Sequence, residues 1–267
     1  MDQLLNGLFA SGITFDAILP FLIVCPLVGL AGFVDAIAGG GGLISLPAYL
    51  IAGLPVHSCL GTNKLSSCMG TAVATWRYHK AGFIKLSRAV PCAAIALLGS
   101  CTGANLALLI PDGVFRMVMV VIIPLTAVYL MRTHSLNAAL ESPTDRKTLI
   151  LCMLISVAIG VYDGLYGPGT GTFLMLAFTG VAHLTLNDAA GTTKVVNLTT
   201  NLAALFVFLA NGQVMLLLGL VAGACNMIGA WLGARAFTSK GANIAKPVML
   251  VVLTIFMAKT IFELVAG

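Results

Sequence analysis

The sequence predicts an all-α polytopic membrane protein made of two homologous halves, and three observations carry that prediction. Only 9% of the 267 residues are charged while 59% are apolar, against about 25% charged in an ordinary soluble domain. Apolar stretches of about 20 residues recur along the chain, the length that crosses a bilayer as a helix. A motif on one side of a hydrophilic segment returns in degenerate form on the other. Together these exclude a soluble enzyme, a nucleic-acid-binding domain and a secreted disulfide scaffold.

Taken in order, residues 1–132 form the first repeat, with long spans expected at about 17–37, 57–78, 88–109 and 114–132 and a short half-helix at 43–52. Residues 133–147, with His134, Glu141, Asp145, Arg146 and Lys147, are the hydrophilic linker. Residues 148–267 form the second repeat, with spans at about 148–165, 188–210, 213–234 and 245–265 and a half-helix at 172–182. The expectation is thus about eight long transmembrane helices plus two short broken ones. The repeat rests on ordered matches. Asp35 before the glycines 39–42 answers to Asp163 before Gly167, Gly169 and Gly171, and the run Gly61, Thr62, Asn63, Lys64 answers to Gly191, Thr192, Thr193, Lys194. At one constant offset Gly82 falls on Gly212, Gly99 and Gly103 on Gly229 and Gly233, and Arg116 on Lys246.

Loop charge orients the halves. If each short piece also crosses, each half crosses an odd number of times and the repeats are inverted. With both termini outside, Arg77, Lys80, Lys85, Arg88, Arg132, Arg146, Lys147, Arg235, Lys240 and Lys246 then fall inside, with only Arg116 opposite, as the positive-inside rule prefers. Five extended residues at 38–42 would reach about 16 Å and a ten-residue helix about 15 Å, matching a hydrocarbon core of about 30 Å.

Irregular backbone inside a bilayer is tolerated only where protein buries it or where it lines a wet cavity, and two breaks at corresponding places in two halves point to a transporter binding site. Gly39, Gly40, Gly41 and Gly42 permit close approach and positive φ; Gly167, Gly169 and Gly171 repeat the design, with Pro168 and Thr170 interrupting it. The half-helix after each break offers free N–H groups and a positive dipole end, an anion site where two such ends meet. Lys64 and Lys194 stand in otherwise apolar spans, where a central Lys costs about 2.5–3.5 kcal/mol. Ser67 and Thr71 follow on the face of Lys64, and Asn197 and Asn201 on that of Lys194. With Thr62, Asn63, Thr192 and Thr193 they form a polar stripe able to bond an anion's oxygens. The alternative for the charges is structural: Lys64 paired with Asp35 and Lys194 with Asp163, each Asp near the unfavourable C-terminal end of its helix. Asp35 and Asp163 are equally placed for proton or cation coupling, and a pair that opens on protonation serves both readings.

The remaining features read as packing. The seven cysteines show no CxxC spacing and are taken as small core residues; His57 and His183 are taken as interfacial or packing residues. Gly99/Gly103, Gly219/Gly223 and Gly229/Gly233 carry the spacing of close helix–helix contacts, and Trp76 and Tyr78 beside Arg77 read as an interface belt. No metal constellation and no nucleophile–base set stands out, so no cofactor is expected.

The run from Gly32 to Pro47, with Asp35 ahead of four glycines, followed by Gly61, Thr62, Asn63 and Lys64, resembles the TauE/SafE family of sulfite exporters, and the resemblance extends over nearly the whole chain. It implies a multi-pass secondary transporter of the cell inner membrane for sulfur-containing anions such as sulfite, sulfonates, sulfoacetate or thiosulfate. The expected partners are therefore a small anionic substrate, coupled protons, the lipid bilayer and a second copy in a homo-oligomer, with no nucleic acid. The alternatives are a passive anion channel or a transporter of another small anion or metabolite; an enzyme or assembly factor would need clustered ligands or nucleophiles that the sequence does not show.

Overall fold

A computed structural model describes residues 15–111, 113–115, 143, 145–240, 244 and 247. Its main helices are α1 (Phe15–Ala38), α2 (Gly42–Ile51), α3 (Val56–Lys80), α4 (Leu86–Leu109), α5 (Arg146–Leu165), α6 (Thr170–Gly180), α7 (Leu186–Ala210) and α8 (Leu216–Lys240), and no strand occurs among the described residues. The order long, short, long, long thus recurs. The spans expected at 114–132 and 245–265 and most of the 133–147 linker lie outside the described residues.

Local chemistry sets the ends of these helices. Pro55 precedes α3 and holds the entering backbone extended. Thr185 caps α7 by accepting from the Asp188 amide. The α3–α4 and α7–α8 turns each hold a glycine at positive φ, Gly82 at 77° and Gly212 at 67°. The α2–α3 turn uses Gly53 at 84°, whereas the corresponding α6–α7 turn places His183 at 54°, a conformation that costs a side-chain-bearing residue free energy.

Five helices, α1, α4, α5, α7 and α8, are long and apolar enough to cross a membrane. The protein is a multi-pass membrane protein, and its surface agrees: Leu22, Leu86, Leu98, Leu109, Phe206, Leu217 and Ile228 face outward while Thr62, Lys64, Thr71, Asp163, Lys194 and Asn201 are buried. The third expected helix departs from the reading as an apolar run. α3 is less apolar than a lipid-facing span because its interior face carries Thr62, Asn63, Lys64, Ser66 and Thr71. Tyr78 also departs: it is fully buried and donates to the Ala36 carbonyl, so the interface belt is left to Trp76, with the Lys80 ammonium 4.1 Å over its ring.

Helix directions follow from close contacts. Gly29 lies on Cys225, and Gly229 and Gly233 lie on Gly29 and Phe33, so α1 and α8 run parallel. Gly99 and Gly103 meet Val157 and Val161, and the Ser100 hydroxyl bonds the Thr200 carbonyl, so α4, α5 and α7 run together. Against this, Gly61 near the start of α3 sits under the Gln213 carbonyl beyond α7, while Gly191 near the start of α7 sits under the Phe83 carbonyl beyond α3. Corresponding helices α3 and α7 are therefore antiparallel. Since α1 and α3 share a direction (Tyr78 reaches Ala36, Gly32 and Gly70 both reach Asn226), the break and α2 between them carry the chain back.

The halves interlock. α1 packs chiefly on α8 and α5 on α4, and α3 and α7 meet at the centre. The seams close because glycine lets backbones touch: a Cβ on Gly103 would lie 2.1 Å from the Val161 carbonyl oxygen, one on Gly164 2.0 Å from that of Ser100, and one on Gly229 1.9 Å from that of Gly29. Gly164→Ala is expected to lower the melting temperature in detergent by an amount equivalent to about 1–3 kcal/mol of overpacking. Gly180→Ala, whose Cβ would meet nothing within 4 Å, is expected to leave it unchanged.

Candidate functional site

The two breaks cross in the middle of the bundle. A Cβ on Gly39 would lie 2.2 Å from the Gly171 carbonyl carbon, one on Gly171 2.6 Å from the Gly39 Cα, and one on Gly42 2.9 Å from the Pro168 Cα. Only glycine permits such backbone contact. The crossing is tied by Thr172, whose hydroxyl donates to the Ala38 carbonyl at 2.7 Å and whose amide donates to Gly39 at 3.3 Å.

The expected extended stretch at 38–42 is instead a compact turn. The Gly39 amide bonds Asp35 and the Leu43 amide bonds Gly40, and Gly41 caps α2 with helical angles. A single positive φ at Gly39 (76°) turns the chain, so α2 begins at Gly42. In the second break Gly167 (94°) and Gly169 (84°) share the task, and α6 starts at Thr170. Both half-helices begin earlier than the apolar pattern indicates, because the glycines themselves belong to the first turn.

The charged pairs are exchanged relative to the sequence expectation. Lys64 pairs with Asp163 at 2.8 Å and Lys194 with Asp35 at 2.9 Å, so each ion pair joins opposite halves, not one half to itself. Lys194 also donates to the Asp35 carbonyl. The Thr170 hydroxyl donates to the Asp163 carboxylate at 2.7 Å. Antiparallel crossing explains the exchange, because it brings the end of α5 beside the start of α3 and the end of α1 beside the start of α7. Glycines leave the room: a Cβ on Gly167 would lie 2.9 Å from the Lys64 Nζ and one on Gly41 2.6 Å from the Asp35 Cβ. Burial is unequal. The Lys64 and Asp163 side chains are 3% and 2% exposed and Lys194 1%, whereas Asp35 is 19% exposed.

A cavity of about 20 Å³ lies at the crossing, room for about one water molecule. Of the sequence-predicted residues, Asp35, Gly39, Gly41 and Gly42 line it from the first break, Asn63, Lys64, Ser67 and Thr71 from α3, Asp163, Gly167 and Gly171 from the second break, and Asn197 and Asn201 from α7. The other expected residues lie behind this lining. Gly40 and Gly169 shape the turns, and Lys194 reaches the site through Asp35. Thr62 accepts from the Met215 amide at 3.0 Å, and Thr192 and Thr193 are buried within α7. Sequence reasoning missed Ser45, Thr170 and Asn226, which also line the cavity. Asn226 was findable as a lone amide in an apolar span; Gly32 and Gly70 exist to admit it, since a Cβ on either would lie 2.6 Å and 1.7 Å from its Oδ1. Among the described residues no group of three potential metal ligands forms.

A buried pair loses most when one partner is removed, because the survivor is an uncompensated charge. Lys64→Met is therefore expected to destabilise the protein by about 3–5 kcal/mol. Adding Asp163→Asn should restore most of this, and adding Asp35→Asn should not. For Lys194→Met the rescue should come from Asp35→Asn alone. Thermal melts of the six variants check the exchanged pairing.

The family model for the sulfite exporter TauE/SafE matches residues 24–260. A probable membrane transporter protein of Sinorhizobium sp. is 36% identical over 88% of this chain and 89% of its own length. One from Haemophilus influenzae is 34% identical over 88% and 91%, and the Escherichia coli protein YfcA, also described as a probable membrane transporter, is 31% identical over 88% and 87%. No solved structure matches the chain. The chain belongs to the TauE/SafE family.

Proposed function

We propose that the protein is a secondary transporter of small anions, in the first place sulfur-containing oxyanions or organosulfonates, working by alternating access from the site at the crossed breaks. The observation that carries this reading is the conjunction, around one cavity, of the Lys64 ammonium, the hydroxyls of Ser67 and Thr71, the amides of Asn197, Asn201 and Asn226, and the head of α2. Donors and a helix dipole converging on a cavity between helices are what a desolvated oxyanion requires. The names of the relatives support transport, and the family's description supports the substrate class.

The reading includes an inverted repeat, supported by the antiparallel contact of α3 with α7, and a cell inner membrane setting with the Gly82 end inside. That end gathers Arg77, Lys85, Arg88 and Arg235: Lys85 and Arg88 share Asp188, and Arg77 and Arg235 flank Trp231. Positive charge on one side is the usual cytoplasmic mark.

Charge balance shapes the mechanism. Lys64, Lys194, Asp35 and Asp163 sum to neutrality, so an entering anion competes with Asp163 for Lys64. A proton taken up by the released carboxylate restores the balance, which would couple anion and proton movement. The cavity is smaller than a pyramidal oxyanion, so loading needs the surrounding helices to part.

In a melting screen of the purified protein against sulfite, sulfate, thiosulfate, sulfoacetate, taurine, phosphate and carboxylates, a sulfur oxyanion or sulfonate should stabilise by about 2.7 kcal/mol at a hundred times its Kd. The Lys64→Met/Asp163→Asn variant should show no such shift. A flat response of the wild-type protein would sink the anion reading. Asn226→Ala should weaken binding of the same ligand by roughly 10–100-fold, the loss of one hydrogen bond to a charged group, measured by titration calorimetry.

A further inference from the structure

We infer that the bundle moves as two bodies, each containing helices of both halves, and that the two exchanged ion pairs are the gates at its opposite ends. This deepens the transport reading and rests on it. One body holds α1, α2, α3 and α8 and the other α4, α5, α6 and α7, because the close packing partners fall into these sets.

Within a body the helices are bound tightly. The glycine seams join α1 to α8 and α4 to α5 with backbone in contact. Tyr78 bonds α1, Tyr49 bonds Ser66, Ser100 bonds Thr200 across α4 and α7, and Lys85 and Arg88 hold Asp188. Such seams do not slide without opening voids.

Between the bodies the contact is narrower, with a polar centre flanked by apolar packing that Leu46, Leu60, Val207 and Phe208 share on one side and Ile37, Tyr78, Met175 and Ala190 on the other. The polar part includes the touching glycines of the two breaks, the Thr172 bonds to Ala38 and Gly39, the Thr75 hydroxyl on the Lys194 carbonyl and the His57 ring on the Ala107 carbonyl. The cavity lies on this surface, and both ion pairs bridge it: Lys64 on α3 with Asp163 on α5, Asp35 on α1 with Lys194 on α7. Among the described residues the bodies are joined through the chain by the α3–α4 and α7–α8 turns. These hold Gly82 and Gly212, whose surroundings are open within 4 Å.

The gates lie at different ends. Lys64 follows Gly61, which sits under Gln213, and so guards the Gly212 end; Lys194 follows Gly191, which sits under Phe83, and guards the Gly82 end. Rocking about the glycine crossing separates one pair while closing the other, and an anion held at the crossing faces the opened side. The glycines suit a pivot because no side chain must be repacked there.

The test introduces Ser67→Cys on the cavity wall and follows its reaction with a charged, membrane-impermeant methanethiosulfonate, applied to right-side-out or inside-out vesicles and read residue by residue by mass spectrometry. In the Lys64→Met/Asp163→Asn background, labelling should rise by roughly tenfold or more from the Gly212 end alone. In the Lys194→Met/Asp35→Asn background it should rise from the Gly82 end alone. A rise from the same end in both backgrounds, from both ends in either, or in neither overturns the inference. If a double variant does not fold, the polar neutral pairs Lys64→Gln/Asp163→Asn and Lys194→Gln/Asp35→Asn carry the same expectations. The readout contains no substrate, so an anion screen without a hit leaves it standing, and its own failure leaves the screen standing.

Discussion

Burying an ammonium or a carboxylate away from water is so costly that a chain with Lys64, Lys194, Asp35 and Asp163 at its centre must pair them before it can settle. In this protein the pairing runs between halves: Lys64 needs Asp163, and Lys194 needs Asp35. Neither half can neutralise its own charges in this arrangement. The interlocking of α1 on α8 and α5 on α4 is the packing counterpart of that electrostatic demand, and the glycine breaks let it be met. At Gly39 and Gly171 the two chains cross with backbone against backbone, bringing each carboxylate to the lysine of the other half.

The same constraint separates two kinds of surface inside one molecule. Where glycines recur at helical spacing the backbones close, as on the α1–α8 and α4–α5 seams; where hydroxyls, amides and charges converge at the crossed breaks a small cavity remains. The family places the protein among transporters by description, and under the proposed reading the polar cavity is where a charged solute would be met.

Much of this was legible in the residues. Apolar length and low charge are enough to give all-helical spans, and the glycine runs marked the breaks because no helix that must satisfy its own amides in lipid keeps four glycines without a use for them. Lys64, Ser67 and Thr71 were legible as one polar stripe, and Lys194, Asn197 and Asn201 as another, because helical spacing fixes a face from sequence alone. Tyr78 misled because an aromatic beside Arg77 near a span end has the composition of an interface residue, and only its neighbour Ala36 reveals that it points inward. Asn226 was overlooked because it has no counterpart in the repeat motifs.

What the sequence determined by itself is local or periodic: the membrane class, the helices and their order, the two breaks, and the residues sharing a face. These depend on spacing along one chain, which hydrophobicity, glycine and charge record directly. The tertiary structure alone decided which lysine meets which aspartate, that the breaks are compact turns, and that the glycines of the two halves touch. It also decided which polar residues reach the cavity and which, like Thr192 and Thr193, stay behind it. The reason is that these are relations between segments distant in the chain. A lysine and two equally spaced carboxylates satisfy the same electrostatics in either pairing, and the antiparallel crossing of the halves selects between them.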